Sequence, residues 1–219
     1  MIVPGEGIAR SLALVVGFSF FVAVFAQIAV RLPFTPVPIT GQTLAVLLAG
    51  GALGSKRGAA SLALYMVLGA VGIPVFAPAS SSLEGNLIHF IFPWSGTSGL
   101  IWSMTSGGYI LGFVVAAFLV GWLAERGWDR GWKVILAMLA GNVSLYLFGI
   151  GWLAYAINSG VLDSSLGVVL FDMIPGTGSF DKALVGGLYP FIAGDLIKLY
   201  IAAITLPGAW ELIGRKLRS

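Results

Sequence analysis

The stretch PFIAGDLIKLYIAAITLPGAW, residues 190–210, is apolar almost throughout, yet it holds Asp195 and Lys198 three residues apart. Its length is close to the ~20 apolar residues that carry a helix across a bilayer. The rest of the chain says which solvent it lives in. The 219 residues are 58% hydrophobic and 10% charged, with a mean hydropathy of +0.98, whereas a soluble domain carries about 25% charged residues. There is too little polar surface to cover a globule in water, so the chain is an integral membrane protein. Its apolar runs are continuous rather than alternating, which disfavours a β-barrel. The 31 glycines suit closely packed membrane helices, and with no cysteine there is neither a disulfide framework nor a thiolate metal site.

Outward from that stretch, six apolar runs stand out, at about residues 8–30, 40–54, 58–76, 107–124, 132–157 and 190–213. The first, about 23 residues long, exceeds the ~7–15 residues of a signal-peptide core, and no basic segment precedes it. Lys56 and Arg57 divide the second from the third. Two cations stranded in hydrocarbon cost roughly 2.5 kcal/mol or more each, which favours two full crossings with a wet turn. Six crossings place Arg10, Lys56, Arg57, Arg126, Arg130, Lys133, Arg215, Lys216 and Arg218 on one side, and only Arg31 and Lys182 on the other. The positive-inside rule makes the first side cytoplasmic. The expectation is an all-α membrane protein in a prokaryotic cytoplasmic membrane, with six transmembrane helices, both termini inside and two long external loops, 77–106 and 158–189. All of 1–219 is expected to form one domain.

Asp195 and Lys198, at i and i+3, project from one face of a helix that Pro190 is well suited to begin. At 1.5 Å per residue, Asp195 then lies about 7–8 Å below the outer end and Lys198 a turn deeper. Such a pair either neutralises itself as a structural ion pair or lines a polar cavity and grips a solute. Ionisable residues within spans favour the second reading, since a carboxylate and an ammonium together hold a neutral group that both donates and accepts. In the first run, Ala9, Ala13 and Gly17 form a small-residue stripe on which another helix can pack, as do Gly108, Gly112 and Ala116 in the fourth. Pro33, Pro36 and Pro38 fix an extended connection, and Thr40 is a candidate N-cap.

PFTPVPITGQTLAVLLAGGALG (33–54) followed by RGAASLALYMVLGAVGIPVFA (57–77) resembles the BioY family, the biotin-specific substrate-capture subunits of energy-coupling factor (ECF) transporters. GGYILGFVVAAFLVG (107–121), LYLFGIGWLA (145–154) and PFIAGDLIK (190–198) agree, in the family's order. The resemblance implies a six-helix protein that binds biotin from outside. Its expected partners are a coupling membrane subunit, reached through Ala9, Ala13 and Gly17, and two ATP-binding cassette ATPases. It implies substrate contact at Asp195 and Lys198, which match the family's G-D-x-x-K motif. Biotin's cyclic urea offers two N–H donors and a carbonyl, and its apolar remainder suits aromatic walls, for which Tyr109, Tyr146 and Trp152 are candidates. Arg31, Lys182, His89, Asn86 and backbone N–H groups are candidates for the carboxylate tail.

The chain departs from the family at Met104, Thr105 and Ser106, where glycine-proline-threonine is usual, and in its two long connections. No Walker loop occurs, the lone His89 cannot make a metal cluster, and no nucleophile–base pair is recognisable. Catalysis, a cofactor and nucleic-acid binding are therefore not expected. The rival reading is a self-sufficient secondary transporter in which Asp195 couples uptake to protons.

Overall fold

The structure, a computed structural model, describes residues 7–78, 88–163 and 169–216, the last eight by backbone alone. Helices dominate: α1 (Ile8–Ala26), α2 (Gln42–Leu53), α3 (Ser55–Ala70), α4 (Gly107–Leu123), α5 (Lys133–Ser159), α6 (Leu170–Met173), α7 (Ser179–Gly187) and α8 (Tyr189–Lys216). Three two-residue strands, β1 (Ala29–Val30), β2 (Ile39–Thr40) and β3 (Ile88–His89), form a small antiparallel sheet in the order β2-β1-β3.

Among the described residues, four helical segments are long and apolar enough to cross a membrane: Ile8–Ala26, Gly107–Trp128, Lys133–Ser159 and Ser179–Gly208. This corrects the expected six. With 12 residues, α2 is about 18 Å long, and α3 with 16 is about 24 Å; both fall short of the ~30 Å hydrocarbon layer. The sequence explains the shortfall. Residues 31–38 lie outside any helix, and β2 precedes α2, so α2 starts late. Gly54, at φ 82° and ψ 177°, then breaks the chain between α2 and α3 in a conformation that few residues other than glycine adopt. Gly72, at φ 99°, and Pro74 stop α3 well before residue 76. The second long loop is corrected too: 158–189 contains α6 and α7, and the apolar helical segment that includes α8 begins at Ser179 rather than residue 190.

The turns α2–α3 and α4–α5 meet at one end of the bundle. Glu125 Oε1 accepts from the Ser55 backbone N–H at 2.7 Å and from its hydroxyl at 2.9 Å. This contact gathers the segments bearing Lys56, Arg57, Arg126 and Arg130. Between the turns, α4 and α5 pack backbone to backbone. A Cβ on Gly108 would stand 2.4 Å from the Phe148 carbonyl oxygen, and one on Gly112 would stand 2.9 Å from Leu145 Cα. The small-residue stripe of α4 thus serves packing within the bundle. One buried cluster, around Leu47, Val120, Met138 and Leu206, fills the space between α2, α4, α5 and α8. A larger one, around Tyr65, Phe76, Tyr109, Phe113 and Leu145, reaches the end that carries the sheet.

Candidate functional site

At the sheet end a narrow cleft opens into the larger cluster. The connection after β1 supplies Val37 and Pro38; β2 supplies Thr40; α2 supplies Gln42 and Thr43; the segment after α3 supplies Ala77; α4 and its preceding residue supply Ser106, Tyr109, Ile110 and Phe113; α5 supplies Leu145 and Tyr146; and α8 supplies Phe191. Its walls are therefore aromatic and aliphatic, with a few hydroxyls and one amide. That is the usual make-up of a site for a small, mostly apolar molecule.

Asp195 lies one turn beyond Phe191 on α8, on the same side by its i, i+4 spacing. It is 4% exposed, and three polar groups meet there. Lys198 Nζ donates to Asp195 Oδ1 at 2.8 Å, and the Tyr146 hydroxyl, from α5, donates to Oδ2 at 2.5 Å. The Lys198 side chain is 15% exposed against 5% for that of Asp195. The pair formed as its spacing predicts, and Pro190 sits in the first turn of α8 as expected. Neither charged residue lines the open cleft directly. Tyr146 does, and its hydroxyl connects the cleft to the carboxylate behind it.

The other predicted positions divide. Tyr109 lines the cleft, with its hydroxyl donating to the Gly187 carbonyl at 2.7 Å and its ring edge-on to Tyr146. Trp152 does not line it. Its indole N–H donates to the Met104 carbonyl at 2.8 Å, and the ring borders a separate apolar groove with Trp102, Leu147 and Tyr155. Asn86 lies outside the described residues. Lys182 is buried, and its ammonium donates to the carbonyls of Phe171 at 2.6 Å and Ile174 at 2.8 Å, over the Phe171 ring. That lysine staples α6 to α7. His89 pairs with Ala29 across the sheet, and among the described residues its buried Nε2 meets no partner. Ala9, Ala13 and Gly17 are exposed on α1, far in sequence from every cleft residue.

The residues that depart from the family pattern border the site. Ser106 lines the cleft, Thr105 Oγ1 donates to the Pro36 carbonyl at 3.0 Å, and the Met104 carbonyl accepts from Trp152. Gln42, Thr43, Phe113 and Phe191 line the cleft as well, though none stands out in the sequence as a site residue. Phe191 had a usable signal, one turn before Asp195 on the same helix face.

A polar-tipped, mostly apolar cleft opening at one end of a bundle of membrane-length helices defines a membrane-embedded solute-binding protein. The comparisons give the family. The BioY family model matches residues 4–215, and the chain belongs to that family. It is 34% identical over 196 residues to a probable biotin transporter BioY of Pyrococcus horikoshii, covering 90% of this chain and 93% of the relative. With the biotin transporter BioY of Rhizobium etli it shares 33% identity over 183 residues, 80% and 79% of the two chains. The fold is similar to that of a crystallised S-component for biotin from an ECF-type ABC transporter. The TM-score is 0.65, over 94% of this chain and 95% of the other, at 21% sequence identity.

Proposed function

We propose that this chain, as one membrane-embedded domain, captures biotin for uptake by an ECF-type transporter. The observation that carries the proposal is the buried triad of Asp195, Lys198 and Tyr146 at the back of an aromatic-walled cleft, in a member of the BioY family. A cyclic urea brings two N–H donors and a carbonyl. The carboxylate accepts an N–H, and the ammonium, which has three donors and gives one to Asp195, has others for the carbonyl. Tyr109, Phe113 and Phe191 enclose the apolar rings and chain.

The partners are a coupling membrane subunit and two ATP-binding cassette ATPases on other chains. The coupling subunit meets Ala9, Ala13 and Gly17. In support, these residues are exposed, and a Cβ on Gly17 would meet nothing within 4 Å, so α1 keeps a low, open face on which another helix can lie. Both termini lie in the cytoplasm. The clustering of Lys56, Arg57, Arg126 and Arg130 at the end opposite the cleft supports this topology, with the cleft facing outward.

The test is uptake of labelled biotin in cells carrying this chain with and without the coupling subunit and ATPases. Uptake that requires the ATPases supports the capture-subunit reading. Uptake by the chain alone that follows the proton gradient contradicts it in favour of a secondary transporter.

A further inference from the structure

Asp195 alone cannot satisfy a cyclic urea, whose two N–H groups point away from each other on either side of the carbonyl. In this chain both carboxylate oxygens already accept, one from Lys198 and one from Tyr146. Each oxygen keeps a lone pair for one ring N–H, but the second N–H lies on the far side of the carbonyl, where a polar group on another wall of the cleft can meet it, and α2 supplies one.

Gln42, the first residue of α2, lines the cleft and is 6% exposed. Its amide is held at both ends. Thr40 Oγ1 donates to Gln42 Oε1 at 2.8 Å, and Gln42 Nε2 donates to the Tyr65 hydroxyl at 2.7 Å. Thr40 Oγ1 also accepts the Gln42 backbone N–H at 3.3 Å, so one hydroxyl ties both the backbone and the side chain of Gln42 at the start of α2. Tyr65 is fully buried on α3, edge-on to Phe76, so its hydroxyl is a rigid anchor. A primary amide has two N–H groups and two oxygen lone pairs. The two anchors use one of each and leave one N–H and one lone pair. That remainder is one donor and one acceptor at the cleft wall, the two kinds of group that a cyclic urea's carbonyl and N–H require. Freezing it before the ligand arrives removes the ordering cost that a mobile glutamine imposes on binding.

We infer that Gln42 is a specificity-determining ligand contact of this site, with Thr40 and Tyr65 as the positioning residues that orient its amide. The inference rests on the biotin reading above and extends it to a residue on a different helix from the Asp195–Lys198 pair. It separates a urea from a ring whose carbonyl has become a protonated imino group, because that group donates where the Gln42 N–H needs an acceptor.

The test is equilibrium binding of biotin and of 2-iminobiotin to the purified full-length chain and its Gln42→Met and Tyr65→Phe variants, with thermal unfolding as a folding control. Gln42→Met keeps the side-chain length and removes both polar groups. Tyr65→Phe removes the anchor without touching the cleft lining, and it keeps the test open should Gln42→Met not fold. The expected result is wild-type binding of biotin, a loss of about tenfold in biotin affinity in Gln42→Met, and a smaller loss in Tyr65→Phe. The preference for biotin over 2-iminobiotin falls in both variants. A merely structural role lowers both affinities together and leaves their ratio unchanged, and that result overturns the inference. So do variants that bind as the wild type does, with the functional reading left standing. A folded wild-type chain that binds no biotin removes the functional reading itself, and the inference with it.

Discussion

Replacing Asp195 with asparagine and Lys198 with methionine, singly and together, separates a ligand site from a structural ion pair. Asp195 is 4% exposed and Lys198 bonds it at 2.8 Å, so each single change strands the remaining charge in a poorly solvated place. Breaking a buried pair in this way costs about 3–5 kcal/mol. The partly exposed Lys198 side chain puts Asp195→Asn at the low end of that range, and several degrees of thermal stability are lost. The double variant leaves no unpaired charge and recovers most of that stability. Binding behaves differently. A charge-assisted hydrogen bond to the ligand is worth about 1.5–3 kcal/mol, so each single variant loses about 10- to 150-fold in biotin affinity, and the double variant does not recover it. The assay is a double-mutant cycle, with calorimetric binding and thermal unfolding measured on the same detergent-solubilised samples. Single variants that bind biotin like the wild type refute the reasoning. So does a double variant in which affinity returns together with stability, since both outcomes make the pair structural.

Other consequences follow from packing and capping. Gly108→Ala forces a Cβ to within 2.3 Å of Trp152 Cβ and lowers stability by about 1–3 kcal/mol, whereas Gly17→Ala, which lies inside α1 and meets nothing within 4 Å, does not lower the thermal midpoint and raises it slightly through helix propensity. Glu125→Ala removes the acceptor of the Ser55 N–H and hydroxyl at the start of α3 and costs about 1 kcal/mol by the measure of a lost helix cap, again read by thermal unfolding. Lys182→Met deprives the Phe171 and Ile174 carbonyls of their donor and lowers stability by about 1–3 kcal/mol. Its biotin affinity stays within about twofold of wild type, against the order-of-magnitude loss at a charged ligand contact, because its ammonium is already committed to the backbone.

The Asp195–Lys198 contact was legible because both residues lie on one helix at a spacing that fixes their relation whatever surrounds them. Tyr146 was named as a wall but not as the partner of Asp195. The two are 49 positions apart, and only the packing of α5 against α8 brings them together. Gln42 lies in the segment that carries the family resemblance, but its anchoring by Tyr65 in the neighbouring helix could not be read from spacing along the chain. The six-span expectation followed apolar runs past their true helix ends. The stops were present in the sequence as Gly54, Gly72 and Pro74, but hydropathy weighs composition and is blind to backbone conformation. Trp152 turns to a separate groove because an indole N–H finds its partner wherever a carbonyl is within reach, and here that carbonyl is Met104. The glycines of α4 left packing within the bundle and packing on a partner equally open, and the closeness of Gly108 and Gly112 to α5 decided for the bundle.

The most direct test of the account is equilibrium binding of biotin to the purified chain in detergent, with no coupling subunit or ATPase present. The expected result is saturable, tight, one-to-one binding that unlabelled biotin competes away. Absence of binding by protein shown to be folded contradicts it.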